Sequence, residues 1–201
     1  MQETPFIITE EKEYQDGTFQ HTRLSGLDLS ESLFSSLVFD HVWFDGTNFQ
    51  ESSFAHVSFL ECDLSETIFQ GSHFRECSFK GCKMMACHAA ETVFQNCIFE
   101  TCNLNYSGWE RATMKKGMHF TKCSFKEAGF NEVIFSVTPD FRTCDFTGVS
   151  FTGTSLRNIN FSTCVLSGIL VSEDYRELKG LTVSHDQTTD IANLLGVTVE
   201  G

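Results

Sequence analysis

The stretch FQESSFAHVSFLECDLSETIFQGSHFRECSFKGC, residues 49–82, decides the fold. Its bulky apolar residues stand at Phe49, Phe54, Phe59, Leu64, Phe69, Phe74 and Phe79, one in every five. Two places before each stands a small residue, such as Ser52, Val57, Cys62, Thr67 or Cys77. Residues two apart on an extended chain point to the same side. The small residue and the bulky centre therefore share an interior, and the other three positions face water. A period of five fits neither the 3.6 period of a helix nor the alternation of a flat strand. It fits a coil that turns a corner every five residues.

Outward from this stretch the series reaches back through Leu29, Leu24 and Phe19 to Tyr14 and forward to Met114. After one extra residue it resumes at Phe120, and after a second at Phe141, ending at Val171. Of the 21 Phe only Phe6 lies outside the register, and all nine Cys occupy the small position. This pattern resembles the pentapeptide-repeat family, whose motif reads small, Asp or Asn, Leu or Phe, Ser/Thr/Arg, then Gly. In that family four pentapeptides make one square turn of about 20 residues. The resemblance covers roughly residues 12–172. It implies an all-β fold: a right-handed quadrilateral β-helix of about eight turns with a short C-terminal α-helix.

Steps of 20 residues, or 21 across each insertion, link Phe19, Phe39, Phe59, Phe79, Phe99, Phe120, Phe141 and Phe161 into one inner ladder. Both insertions fall at one corner, so Lys116, Gly117, Thr138 and Pro139 are expected to form a small raised rim. Ala89, the smallest centre, lies one turn below Trp109, the bulkiest, which keeps local volume constant. End turns of a solenoid need caps. Residues 1–13 are assigned to an N-terminal cap, with Phe6, Ile7 and Ile8 over the exposed edge. The repeat body is residues 14–172 and the tail 173–201.

In the tail, Ser184 and Gln187 form a capping-box signature. Ile191, Leu194 and Leu195 make an apolar stripe, and Gly196 is a natural stop. The pattern predicts a helix from about His185 to Leu195. Its stripe, with Val197 and Val199, needs cover, either from the last turn of its own chain or from a second copy.

The residues offer little to catalysis or metals. Cys77, Cys82 and Cys87 are five apart, not the two to four of zinc sites, and in a Phe-lined interior free Cys acts as a small hydrophobe. His21, His41 and Glu61 stack as a solvated ladder. His119 and Asp140 pair without a nucleophile. No phosphate loop or nucleophile elbow is present, and a filled coil has no cleft to desolvate a substrate. No cofactor, no metal and no enzymatic activity are expected.

Charge is more informative. A net charge of −13 argues against direct binding of nucleic acid and suits a basic partner. Residues 1–60 hold ten acidic and two basic residues. Glu11, Glu31 and Glu51 repeat at equivalent outward positions, a column of like charges that serves either solubility and edge protection or the imitation of a row of phosphates. No run of 18 apolar residues and no signal-peptide pattern occur, so no membrane span and a cytoplasmic location are expected.

The length, the nearly uninterrupted repeat and the ending ANLLGVTVEG are similar to the topoisomerase-binding group that includes Qnr, McbG, AlbG and MfpA. That resemblance implies a DNA-mimicking homodimer, joined through Ile191, Leu194, Leu195 and Val197. Such a dimer binds DNA gyrase or topoisomerase IV and protects it from quinolones or gyrase-directed toxins. It places protective contacts at the corner of Lys116, Thr138 and Pro139. Qnr proteins carry longer loops there than these single-residue bulges. The rival reading is an interaction scaffold for another protein.

Overall fold

The computed structural model describes residues 11–199. The cap residues Phe6, Ile7 and Ile8 lie outside the described residues. The chain coils as a parallel four-sided solenoid. On the first side the centres pair Tyr14, Phe34, Phe54, Phe74, Phe94, Met114 and Phe135 in register. The second side pairs Phe19, Phe39, Phe59, Phe79, Phe99, Phe120 and Phe141. Strands β1 (Glu13–Gln20) and β2 (Leu33–Asp40) run across both sides, whereas later turns carry separate strands of two or three residues. The third and fourth sides join through single bridges, such as Trp43 to Asp63 and Asn48 to Ile68.

Strand pairing extends over about six turns, from β1 to the strand Asp140–Arg142, fewer than the eight expected. Beyond it, isolated bridges continue the coil to Val165 and Leu170. On the first two sides the last turn meets the aperiodic tail, which touches it at single points. Leu156 N–H donates to Glu177 O (3.0 Å), Asn158 N–H to Gly180 O (2.9 Å) and Phe161 N–H to Thr182 O (2.9 Å).

The expected Phe ladder stacks from Phe19 to Phe161. Its tightest step is Phe79–Phe99 at 4.5 Å, and Phe59–Phe79 follows at 4.8 Å, both with rings 4° from parallel. Rings on adjacent sides meet edge to face, as Phe39–Phe44 at 5.0 Å and 88°. Such pairs add about 0.5–1.5 kcal/mol beyond area burial. Ala89 and Trp109 are both fully buried, and Trp109 Nε1–H donates to Ser107 Oγ at 2.7 Å.

The small inward residues have a further role. Thr47 donates to Leu24 O (2.7 Å), Ser72 to Phe49 O (2.6 Å) and Cys62 Sγ to Phe39 O (3.4 Å), each across 23 residues. A buried hydroxyl needs a partner, and this carbonyl recurs at every level. Ser, Thr and Cys are thus interchangeable here, and all nine Cys are free and buried. Burial pushes the Cys87 thiol up to about 12.

At the fifth position of most repeats the backbone enters the left-handed region. Glu31, Glu51, Glu91 and Glu132 have φ of 56°, 57°, 59° and 56°. Side chains there point away from the core. Gly71 and Gly81 take the same conformation where the Glu51 and Glu61 side chains, one turn earlier, fill the space a Cβ would need.

The two insertions are absorbed at one corner. Lys116 O accepts from Asn96 N–H at 2.8 Å, Gly117 turns with φ 71°, and register returns at His119 opposite Ile98. The second bulge bends at Ser136 and Val137, and Asp140 pairs with His119. Pro139 is a correction to the expected rim. It is buried, because it fills the small inward place two before Phe141.

In the tail the helix α1 spans Thr188–Leu194, starting later than predicted. Half of the capping box forms, with Gln187 Oε1 accepting from Ser184 N–H at 2.7 Å. The Gln187 amide donates instead to Phe161 O (2.9 Å) and Cys164 O (2.6 Å). Gln187 is held against the last turn, so the helix begins only after it. Gly196, with φ 75°, ends it.

Candidate interaction surfaces

The outward residues fall into columns one turn apart, about 4.8 Å. On the corner between the fourth and first sides stand Glu11, Glu31, Glu51, Gly71, Glu91, Arg111 and Glu132. Glu11, Glu31 and Glu51 are exposed and make no ion pair among the described residues. Farther along, charge is neutralised in place. Arg111 grips Glu91 at 2.6 Å, and Lys83 and Lys126 reach Asp63 and Asp145 at 3.1 and 3.2 Å. The rod therefore has an open acidic end and a balanced middle.

The inserted corner presents Lys116, Gly117, Val137 and Thr138 to solvent. At the C-terminal end Ile191 and Leu194 are half-buried, Leu194 against the core cluster, while Leu195 and Val197 are exposed. The tail caps its own chain, and its outer apolar surface stays open.

His21 and His41 rings lie 5.2 Å apart. His41 Nδ1 sits 2.6 Å from Asp40, and that hydrogen bond holds the Asp40 carboxyl below its usual range. Asp140 is lowered first by Arg142 at 2.8 Å and then by His119 at 3.4 Å. No group of three or more metal-ligating side chains occurs among the described residues.

One surface feature has no counterpart in the repeat pattern, a shallow hollow on the first side lined by Ser53, Ala55, His73, Arg75, Val93, Gln95 and Lys115. The only signal for it is the short Ser53 and Ala55 beside the longer His73, Arg75, Gln95 and Lys115 in two outward columns.

Family comparison agrees with the geometry. A pentapeptide repeat region matches residues 52–118, and pentapeptide repeats match 18–50 and 140–168, together more than half of the chain. The chain belongs to the pentapeptide-repeat family. No curated protein sequence matches it. Among solved structures of the family's kind, full-length QnrB1, a plasmid-mediated fluoroquinolone resistance protein, aligns at a TM-score of 0.42 and 14% identity, covering 90% of this chain and 100% of that one. HetL, a pentapeptide repeat protein involved in heterocyst differentiation regulation in the cyanobacterium Nostoc sp. strain PCC 7120, aligns at 0.26 and 11%, covering 86% and 90%. No helix among the described residues is long and apolar enough to cross a membrane.

Proposed function

We propose that this pentapeptide-repeat protein is a non-catalytic binding protein whose acidic rod docks on the DNA-binding surface of a type II topoisomerase, DNA gyrase or topoisomerase IV. In this role it shields the enzyme from quinolones or gyrase-directed toxins. The observation that carries the reading is the open column Glu11, Glu31 and Glu51. Carboxylates repeating along a rigid edge repel one another, and a basic groove built for phosphates relieves that repulsion. Lys116 and Thr138 form a second contact, and the exposed Leu195 and Val197, with Ile191 and Leu194 behind them, join two copies end to end. A scaffold for another basic protein is the second reading, supported by the same column.

The experiment is binding of purified protein to gyrase without DNA, with supercoiling assayed in the presence of a quinolone. Binding is expected to weaken as salt rises, since exposed charges are screened within about 8–10 Å. Glu11, Glu31 and Glu51 changed together to Gln should weaken it while leaving the fold intact. Absence of affinity for both topoisomerases at low salt rejects the topoisomerase and leaves the scaffold.

A further inference from the structure

Among the described residues, one outward column alone sets two histidines one turn apart. At the corner between the second and third sides His21, His41, Glu61 and Gly81 follow one another, with φ of 50°, 54°, 50° and 64°. The His21 and His41 rings are exposed, with centroids 5.2 Å apart and planes 39° from parallel. The other histidines of the repeat body have different column neighbours. His56 meets Glu76, His119 meets Ile98 and Asp140, His73 meets Ser53 and Val93, and His88 meets Ile68 and Gly108.

The spacing is that of a chelate. With metal–nitrogen bonds of about 2.0–2.1 Å and a near-tetrahedral angle, two imidazole centroids on one ion stand about 5 Å apart. A turn about χ2, a broad torsion in an imidazole, aims both Nε2 atoms at one point. The surroundings supply what a bare pair lacks. His41 Nδ1 lies 2.6 Å from Asp40 Oδ1, and Gln20 Nε2–H donates to Asp40 Oδ2 at 2.9 Å, so the carboxylate is held at both oxygens. A carboxylate that receives the Nδ1 proton leaves Nε2 as the ligand atom, fixes the ring's direction and raises its basicity. Glu61 supplies no third bond, because its side chain lies across Gly81 in the next turn. Arg23, two residues past His21, holds its guanidinium over the Trp43 ring, 5.7 Å from the centroid, so an aromatic face engages that nearby positive charge.

We propose that His21 and His41 together bind a first-row divalent transition-metal ion, of the Cu(II), Ni(II) or Zn(II) kind, through their Nε2 atoms, with water in the remaining positions. Imidazole suits these ions, whereas magnesium and calcium take oxygen ligands. The site stands at a different corner from Glu11, Glu31 and Glu51 and does not depend on the topoisomerase reading.

The test titrates untagged full-length protein with zinc chloride by calorimetry and with copper(II) chloride by fluorescence. Trp43 is exposed two residues past His41 and Trp109 is fully buried, so copper at the pair should quench Trp43. Saturation at one ion per chain is expected. His21→Asn and His41→Asn should each weaken binding by at least about tenfold, and Asp40→Asn, which removes no ligand, also by about tenfold. Asn tolerates the left-handed backbone at both histidine positions, which protects the fold. His88→Ala, which removes an exposed histidine on the fourth side, should bind as the parent does. Absence of saturable binding, an equal loss in His88→Ala, or undiminished binding in the variant carrying both His21→Asn and His41→Asn overturns the proposal.

Discussion

The repeat body and the tail are held together in opposite ways. In the body every contact recurs one turn later: Phe79 has a ring stacked on each face, and so does its neighbour on the ladder. In the tail nothing recurs. Gln187 satisfies two carbonyls and one N–H at once, and Glu177 alone gathers Gly153 N–H, Ser172 N–H and Ser172 Oγ–H at 2.8, 3.2 and 2.6 Å. Repetition makes the body's stability a sum over levels. The tail depends on single side chains, each without a substitute.

The largest expected effect lies in the body. Phe79→Ala should cost about 3–5 kcal/mol, since it opens a cavity between two stacked rings. Leu194→Ala, half-buried where the tail meets the core, should cost about 1–2 kcal/mol. Urea unfolding of both variants checks this, and equal losses would break the contrast between the two regions. Next in size, Gln187→Ala should cost about 1–3 kcal/mol because buried carbonyls lose their donor. Amide exchange should then quicken in residues 173–199 while the Phe59–Phe99 region stays protected. A uniform loss of protection would instead show that tail and body open as one unit.

The smallest effect is one of pH. Burial pushes the Glu177 carboxyl up, but hydrogen bonds from Ser172 and Gly153 outweigh it and hold the group below its usual value. A depressed folded-state pKa adds stability that is fully present above the unfolded value, about 4.3, and is lost as pH falls through the folded value. The stability gap between the parent and Glu177→Gln should therefore narrow as pH falls through the carboxylate range. A gap constant with pH would mean that the carboxylate charge contributes nothing there.

Most of the body was legible because its rule is local. Knowing Phe59 and the spacing is enough to place Cys77 and Phe79 inside. The same rule, carried through the second bulge, puts Pro139 inward. It was misplaced on the rim because an insertion suggests a loop, although register resumes only at Phe141. The tail was half legible. Ser184 and Gln187 announced a helix start, but the Gln187 amide is committed to carbonyls 23 and 26 residues earlier, which no local pattern encodes. Of the candidate surfaces, the acidic column could be read by counting. The hollow with Arg75 and Lys115 could not, because it depends on side-chain lengths compared across turns.

The corner that takes both insertions separates how long the chain is from what its sides display. Asn96 N–H bonds to Lys116 O as though no residue had been added, and His119 still faces Ile98. Extra residues spliced in after Lys116 or Val137 would leave every ladder above and below in phase. A recognition loop of arbitrary length could be grown there, or removed, while the rest of the rod kept its pattern like a woven band with one free selvedge.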